Sequence, residues 1–213
     1  MTAAPVAPAP ETPDVVIGNH YHKYGGGNPL IRFLTDRFLA AFDGLLAGVA
    51  ADPAVGQVLE VGCGEGEIAD RLAARFDQVA ALDLPDAGLR REWAKRRGVI
   101  FVHGDAGRLP YADASFDLVV AVEVLEHLRD PDRGLEELAR VTRRHLLLSV
   151  PREPLFRMGN LLTGRHVQDL GNTPGHLNHW STAGFLRFVS ARAALVDVRT
   201  PFPWTSVHAR LDT

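Results

Sequence analysis

Val58-Leu59-Glu60-Val61-Gly62-Cys63-Gly64-Glu65-Gly66 is the stretch on which the reading of this 213-residue chain turns. A short apolar run stops at three glycines within five residues, and helical spacing begins at Glu67. Glycine permits a tight turn and lets a ligand touch the backbone. The helix that follows exposes unsatisfied N–H groups at its start. In an open parallel sheet, ligands bind at the carboxyl ends of the strands, where this loop sits. A dinucleotide fingerprint requires glycine at its first, third and sixth positions. Gly62 and Gly64 satisfy two of these, but the sixth is Glu67, and a second acid, Glu60, precedes the loop. Negative charge there suits a ligand carrying an ammonium group better than a pyrophosphate. An ordinary βα turn explains one glycine comfortably, three with difficulty, and Glu60 not at all.

Outward from the loop, strands and helices alternate. Asn28-Pro29 pairs an N-cap residue with proline at the first helical position. Leu30, Ile31, Leu34, Phe38, Phe42, Leu45, Leu46 and Val49 then recur at three- and four-residue steps, as in a helix ending near Ala50 with one buried face. Strands are expected at Gln57–Val61, Val79–Leu82, Val99–Val102, Phe116–Val122, His145–Val150, Leu195–Thr200 and Ser206–Leu211. Helices are expected at Glu67–Phe76, Ala87–Arg97, Pro131–Val141 and Thr182–Ala191, with a shorter piece around Leu155–Leu162. Such alternation implies parallel βαβ crossovers and helices on both faces of one sheet. The expectation is an α/β three-layer αβα sandwich whose seven-stranded, mostly parallel sheet has an antiparallel last strand.

Hydrophobic residues make up 46% and charged residues 23%, figures of a globular chain. A net charge of -3 supplies no global basic field for nucleic acid or an anionic membrane. Cys63 is the single cysteine, which excludes an internal disulfide framework and a cysteine-rich zinc site. No apolar run approaches the roughly 20 residues that span a bilayer, and no basic start with an apolar stretch marks a secretory signal. The expectation is therefore a cytoplasmic chain without membrane insertion: a disordered Pro/Ala-rich tail over 1–17, one domain over 18–213, and a lid over 151–180, where prolines and glycines break the rhythm.

The spacing of the glycine loop resembles the first motif of class I S-adenosylmethionine-dependent methyltransferases. Phe116-Asp117-Leu118-Val119-Val120 and Glu123-Val124-Leu125-Glu126-His127-Leu128 are similar to the family's fourth strand and its continuation. The likeness is strong over roughly residues 55–150 and implies a Rossmann-like fold with S-adenosyl-L-methionine as cofactor. Asp83, after the second strand, is positioned to accept from both ribose hydroxyls, although an Asp there also caps helices. By resemblance the Asp105 side chain takes the adenine amino group and the Ala106 amide the ring nitrogen; plain turn chemistry is the competing reading. The cofactor set implied is Tyr21, Glu60, Gly62, Cys63, Gly64, Asp83, Leu84, Asp105, Ala106 and Glu123. Tyr21, Tyr24 or Lys23 would meet the methionine carboxylate from a segment that also reads as a Gly-rich linker.

Methyl transfer is an in-line displacement, so the protein mainly aligns the reactants and, for a hydroxyl acceptor, helps remove a proton. Histidine is the natural base near neutral pH. His127, after the fourth strand, and His176 and His179, in the irregular segment, are the candidate catalytic residues; each also suits a structural hydrogen-bond network. A secondary reading places a divalent metal among Glu123, Glu126, His127 and His179, as in small-RNA 3′-terminal 2′-O-methyltransferases, although a metal is not the expected cofactor. No Asp-Pro-Pro-Tyr motif marks amino-directed methylation of DNA. Arg152, Arg157, Arg165 and His166 would favour an anionic acceptor if they faced the pocket. The leading expectation is O-methylation of a small-molecule acceptor such as a sugar, phenol or other natural product. The alternatives are metal-assisted 2′-O-methylation of RNA, a non-catalytic S-adenosylmethionine-binding partner protein, and a nicotinamide-dependent oxidoreductase, which Glu67 and Glu60 disfavour.

Overall fold

A computed structural model describes residues 29–162, 169–170, 172–173 and 175–211. The expected tail over 1–17, Tyr21, Lys23, Tyr24, Arg165 and His166 lie outside the described residues. Helix α1 (Pro29–Ala50) begins at the proline and buries Thr35, Phe38, Leu39, Phe42, Leu45, Leu46 and Val49 on one side. Leu30, expected on that face, is exposed, as is Phe33, so burial starts one turn into the helix.

From there β1 (Gln57–Val61), α2 (Glu67–Ala73), β2 (Gln78–Asp83), α3 (Ala87–Trp93), β3 (Val99–His103), β4 (Phe116–Val122), α4 (Pro131–Val141) and β5 (Thr142–Pro151) alternate as the sequence pattern predicts. Helix α5 (Leu155–Leu162), α6 (Thr182–Ser190) and the strands β6 (Ala194–Arg199) and β7 (Trp204–Arg210) complete the chain. The seven strands lie in the order β3-β2-β1-β4-β5-β7-β6. Neighbours are parallel from β3 through β5, and β7 runs antiparallel to both β5 and β6. This is the expected mixed sheet.

Local chemistry sets the element ends. Asp86 caps α3 by accepting from the Gly88 and Leu89 amides at 2.6 and 3.0 Å. Asp130 caps α4 through the Arg133 amide, and Ser181 caps α6 through Gly184. Helix α3 stops at Trp93, short of the expected Arg97; Arg96 turns back to donate to the Glu65 carbonyl, and Gly98 takes φ +77°. A backbone carbonyl 31 residues away in sequence thus holds Arg96 just past the helix end, before the periodicity runs out.

Two cores sandwich the sheet. On one face Val58, Leu118, Val120 and Leu147 meet Phe38, Phe42 and Leu46 of α1 and Ile68 and Leu72 of α2. On the other, Leu59, Val61, Val119, Ala121 and Leu148 meet Leu135 and Leu138 of α4 and Phe185 and Val189 of α6. Every residue of β4 is buried, the signature of a central strand covered on both sides. The strand order reverses between β1 and β4, and the ends of these two strands therefore bound the crevice where ligands of such sheets bind.

Near the opposite end of β5, His145 Nδ1 lies 2.9 Å from His208 Nε2, and His145 Nε2 lies 3.2 Å from Asp52 Oδ2. Burial, reinforced by His145, pushes the His208 imidazole down from 6.5 to about 4, and burial also lowers His145. The folded state therefore resists protonation here. Its stability is fully present above pH 6.5 and declines as pH falls from 6.5 toward about 4. Urea unfolding across that window should show the midpoint falling with pH, and His208→Asn should flatten the slope. An unchanged slope in the variant would refute this account.

Candidate active site

The glycine loop leaves β1 with Gly62, Gly64 and Gly66 at φ +74°, +50° and +90°. A side chain at Gly62 would be strained and would overlap Val124 Cγ2, beyond the end of β4. Gly64 has open space in the direction a Cβ would take. The loop is fastened to β2: the Gly62 and Cys63 amides donate to the Leu82 carbonyl at 2.7 and 3.1 Å. Asp83 accepts from the Gly64 amide through Oδ2 at 2.6 Å and from the Leu84 amide through Oδ1 at 2.7 Å. Gly66 donates to the Cys63 carbonyl. Four loop amides are thereby spent within the protein. The loop is no nest of free N–H groups for a pyrophosphate, which agrees with the missing sixth glycine.

Glu60 is 2% exposed beneath this loop, and among the described residues no hydrogen-bond partner reaches its Oε2. Burial, with the nearby Asp83 charge, raises its pKa well above the usual carboxylate range. A ligand cation brought near would favour the ionised form. A buried acid with one orphaned oxygen, a fastened glycine turn and open space at Gly64 fit a cationic nucleoside. The Cys63 thiol is buried and pushed up strongly, by burial and then by Glu60 and Asp83, so it remains a thiol. Gly104 closes β3 so tightly that a Cβ would come within 2.6 Å of Leu82 Cδ1. Asp105 next to it is exposed and accepts from the Gly107 amide at 2.8 Å, while Ala106 is buried. The turn reading of Asp105 therefore holds, and the carboxylate still stands at a strand end.

Beyond β4 the chain bends sharply. Glu123 has φ +55°, its amide donates to the Ser149 carbonyl at 2.9 Å, and its carboxylate accepts from the Trp204 indole. Such backbone strain gathers at functional sites. The 3₁₀ turn Leu125–His127 follows. The Leu177 and Asn178 amides both donate to the Glu126 carbonyl, at 2.8 and 3.0 Å. The Asn178 side chain donates to the carbonyls of Leu125 and Leu128. The segment 175–178 is thus pinned onto the turn, and ligand atoms of Glu126, His127 and His176 come within 4.8 Å of one another. His127 Nδ1 lies 2.9 Å from the Gly175 carbonyl, and the two imidazoles meet edge to face with centroids 4.9 Å apart.

The structure brings His127 and His176 together but sends His179 outward, its Nε2 lying 2.8 Å from Asn172 Oδ1. Glu123, bonded to Trp204, and His179 stand outside the group that Glu126 and His127 form, and His176 takes the remaining place. Sequence reasoning missed Trp93, whose indole donates to the Gly64 carbonyl at 2.8 Å while its ring stacks on Phe101. It also missed Trp204. Neither has a local signal, since each acts across a fold contact.

Residues 59–148 match the family model described as "Methyltransferase domain". The chain is 37% identical over 119 residues to the 27-O-demethylrifamycin SV methyltransferase of Amycolatopsis mediterranei, covering 52% of this chain and 40% of that protein. It is 38% identical over 112 residues to the demethylmenaquinone methyltransferase of Thermobifida fusca, covering 47% and 48%. The magnesium protoporphyrin IX methyltransferase of Synechocystis, solved with bound S-adenosylhomocysteine, superimposes with a TM-score of 0.64 at 18% identity, covering 90% of this chain and 91% of that one. The chain spans between 38% and 51% of the length of the first curated relatives it matches. The match over residues 59–148 and the sheet order both support the class I S-adenosylmethionine-dependent methyltransferase family, with S-adenosyl-L-methionine as its cofactor. No described helix is long and apolar enough to cross a membrane.

Removing the Asp83 carboxylate would leave the Gly64 and Leu84 amides without their acceptor, at a cost of about 1–3 kcal/mol. Calorimetric titration with S-adenosylhomocysteine should show saturable binding to the native chain and at least roughly tenfold weaker binding to Asp83→Ala, about the factor that 1.4 kcal/mol represents. Equal affinity would show that the fastening does not matter to the ligand.

Proposed function

We propose that this chain is a methyltransferase that transfers the methyl group of S-adenosylmethionine to a hydroxyl of a small-molecule acceptor. The observation that carries this reading is adjacency. Val124 packs where a Gly62 side chain would stand, so the glycine loop touches the segment that presents Glu126, His127 and, through the pinned loop, His176. When bound, the cofactor supplies a methyl activated on a sulfonium. On the cofactor side, Glu60 offers negative charge beneath the loop, Gly62 and Gly64 allow close approach, and Asp83 with Leu84 supports the strand end that would meet the ribose. On the acceptor side, the Glu126–His127–His176 group positions a hydroxyl and draws off its proton. Positioning alone contributes up to about 10 kcal/mol of barrier lowering in favourable cases. The names of two relatives, a 27-O-demethylrifamycin SV methyltransferase and a demethylmenaquinone methyltransferase, support a small-molecule acceptor.

Incubation with S-adenosylmethionine and a panel of phenols, quinols and sugars, followed by mass spectrometry, should reveal a gain of about 14 Da for a single methyl replacing hydrogen. His176→Ala should lower kcat roughly 100-fold or more, within the range of proton-transfer contributions, while S-adenosylhomocysteine affinity stays within a factor of about two of native. Full activity in His176→Ala, or no product across hydroxyl acceptors from a chain that binds the cofactor product, would end this reading.

A further inference from the structure

We propose that Glu126, His127 and His176 form a site for one divalent transition-metal ion, with two imidazoles and one carboxylate as ligands and a remaining position open toward the acceptor. Its chemical role rests on the methyl-transfer reading above; its occupancy does not. Three features carry it.

First, the ligand atoms already lie within 4.8 Å of one another. Tetrahedral zinc with bonds of about 2.0–2.1 Å sets its ligand atoms about 3.3 Å apart, so at most about 1.5 Å of closure is needed, within reach of side-chain rotation. Second, a carbonyl can only accept, so the 2.9 Å contact of His127 Nδ1 with Gly175 O makes Nδ1 the protonated nitrogen. In that tautomer Nε2 carries the lone pair through which a metal would be bound. An imidazole whose second nitrogen donates to a backbone carbonyl is the usual outer support of a metal-bound histidine. Third, two of the three ligands are buried and the loop that carries His176 is fastened in place. Glu126 is 1% and His176 7% exposed, Phe156 lies against the His176 ring at 5.6 Å, and two amides hold the His176 loop on the Glu126 carbonyl.

The donor set chooses the ion. Two nitrogens and one oxygen suit Zn²⁺, Co²⁺, Fe²⁺ or Mn²⁺, whereas Mg²⁺ and Ca²⁺ prefer oxygen ligands throughout. Three protein ligands leave a position for water or an acceptor oxygen. An acceptor hydroxyl there would have its pKa lowered and would lose its proton to solvent. The oxygen–carbon bond then forms as the carbon–sulfur bond breaks, with the electron pair going to the sulfonium sulfur, so atoms and charge balance.

The test uses the tag-free chain, stripped with chelator and titrated with Co²⁺, whose visible absorption reports nitrogen and oxygen ligation, and in parallel with Zn²⁺ by calorimetry. We expect a single saturable site that His176→Gln and Glu126→Gln each weaken roughly tenfold or more, while His179→Ala leaves it unchanged. S-adenosylhomocysteine titration and thermal unfolding of each variant report whether it is folded. Should Glu126→Gln fail to fold, His176→Gln decides. X-ray absorption of the zinc-loaded native chain should show two imidazoles in the coordination shell. No saturable binding by the native chain, binding that survives His176→Gln, or binding lost in His179→Ala would overturn the proposal. The two readings fail separately. Methyl transfer that persists in chelator removes the metal, and metal binding without methyl transfer removes the proposed function.

Discussion

The Asp83 carboxylate spans two backbone amides, one from the glycine loop and one from the end of its own strand. Hydrogen bonds to a charged group contribute about 1.5–3 kcal/mol each, and this pair acts at the point where a loop of three left-handed glycines would otherwise be free to move. The Leu82 carbonyl, taking the Gly62 and Cys63 amides, and the Trp93 indole on the Gly64 carbonyl complete the attachment. The curve of the cradle follows from these contacts. It turns the loop's polar groups inward to the protein and leaves the space beside Gly64 to a ligand.

The same loop governs the segment beyond β4 through van der Waals contact. Because Gly62 has no side chain, Val124 can close against it, and that closure fixes where the chain goes after β4. The turn at Glu123 bears positive φ and is held from two directions, by the Ser149 carbonyl and by the Trp204 indole. The next residues present a carboxylate and an imidazole, and the segment around His176 is fastened over them by main-chain hydrogen bonds to Glu126. The glycine loop and the group formed by Glu126, His127 and His176 are thus joined by packed contacts within a few residues of each other.

Acid and imidazole groups are used differently at the two ends of the sheet. Beneath the glycine loop, Glu60 is buried with an orphaned oxygen, a costly state unless a ligand charge offsets it. Around β5 and β7, His145 meets His208 and Asp52 at 2.9 and 3.2 Å, where the contacts serve the join between two antiparallel strands and the turn after α1. Burial alone does not distinguish these roles. Position relative to the strand ends does.

The strands, the helix starts, the glycine loop and its flanking acids were legible in the sequence because their causes are local: periodicity over a few residues, prolines at Pro29 and Pro131, glycines where φ turns positive. The mixed sheet followed from the alternation of elements. The pairing of groups at the acceptor end was not legible. His176 and His179 are three residues apart with similar neighbours, and only the docking of Leu177 and Asn178 onto Glu126 turns one inward while the other meets Asn172. Glu123 reads as a site acid until Trp204, 81 residues away, is found against it. Periodicity therefore set the fold and the motif resemblance pointed to the class of cofactor, while contacts between distant segments decided which side chains come together beyond β4, since a side chain's direction is set by what packs behind it.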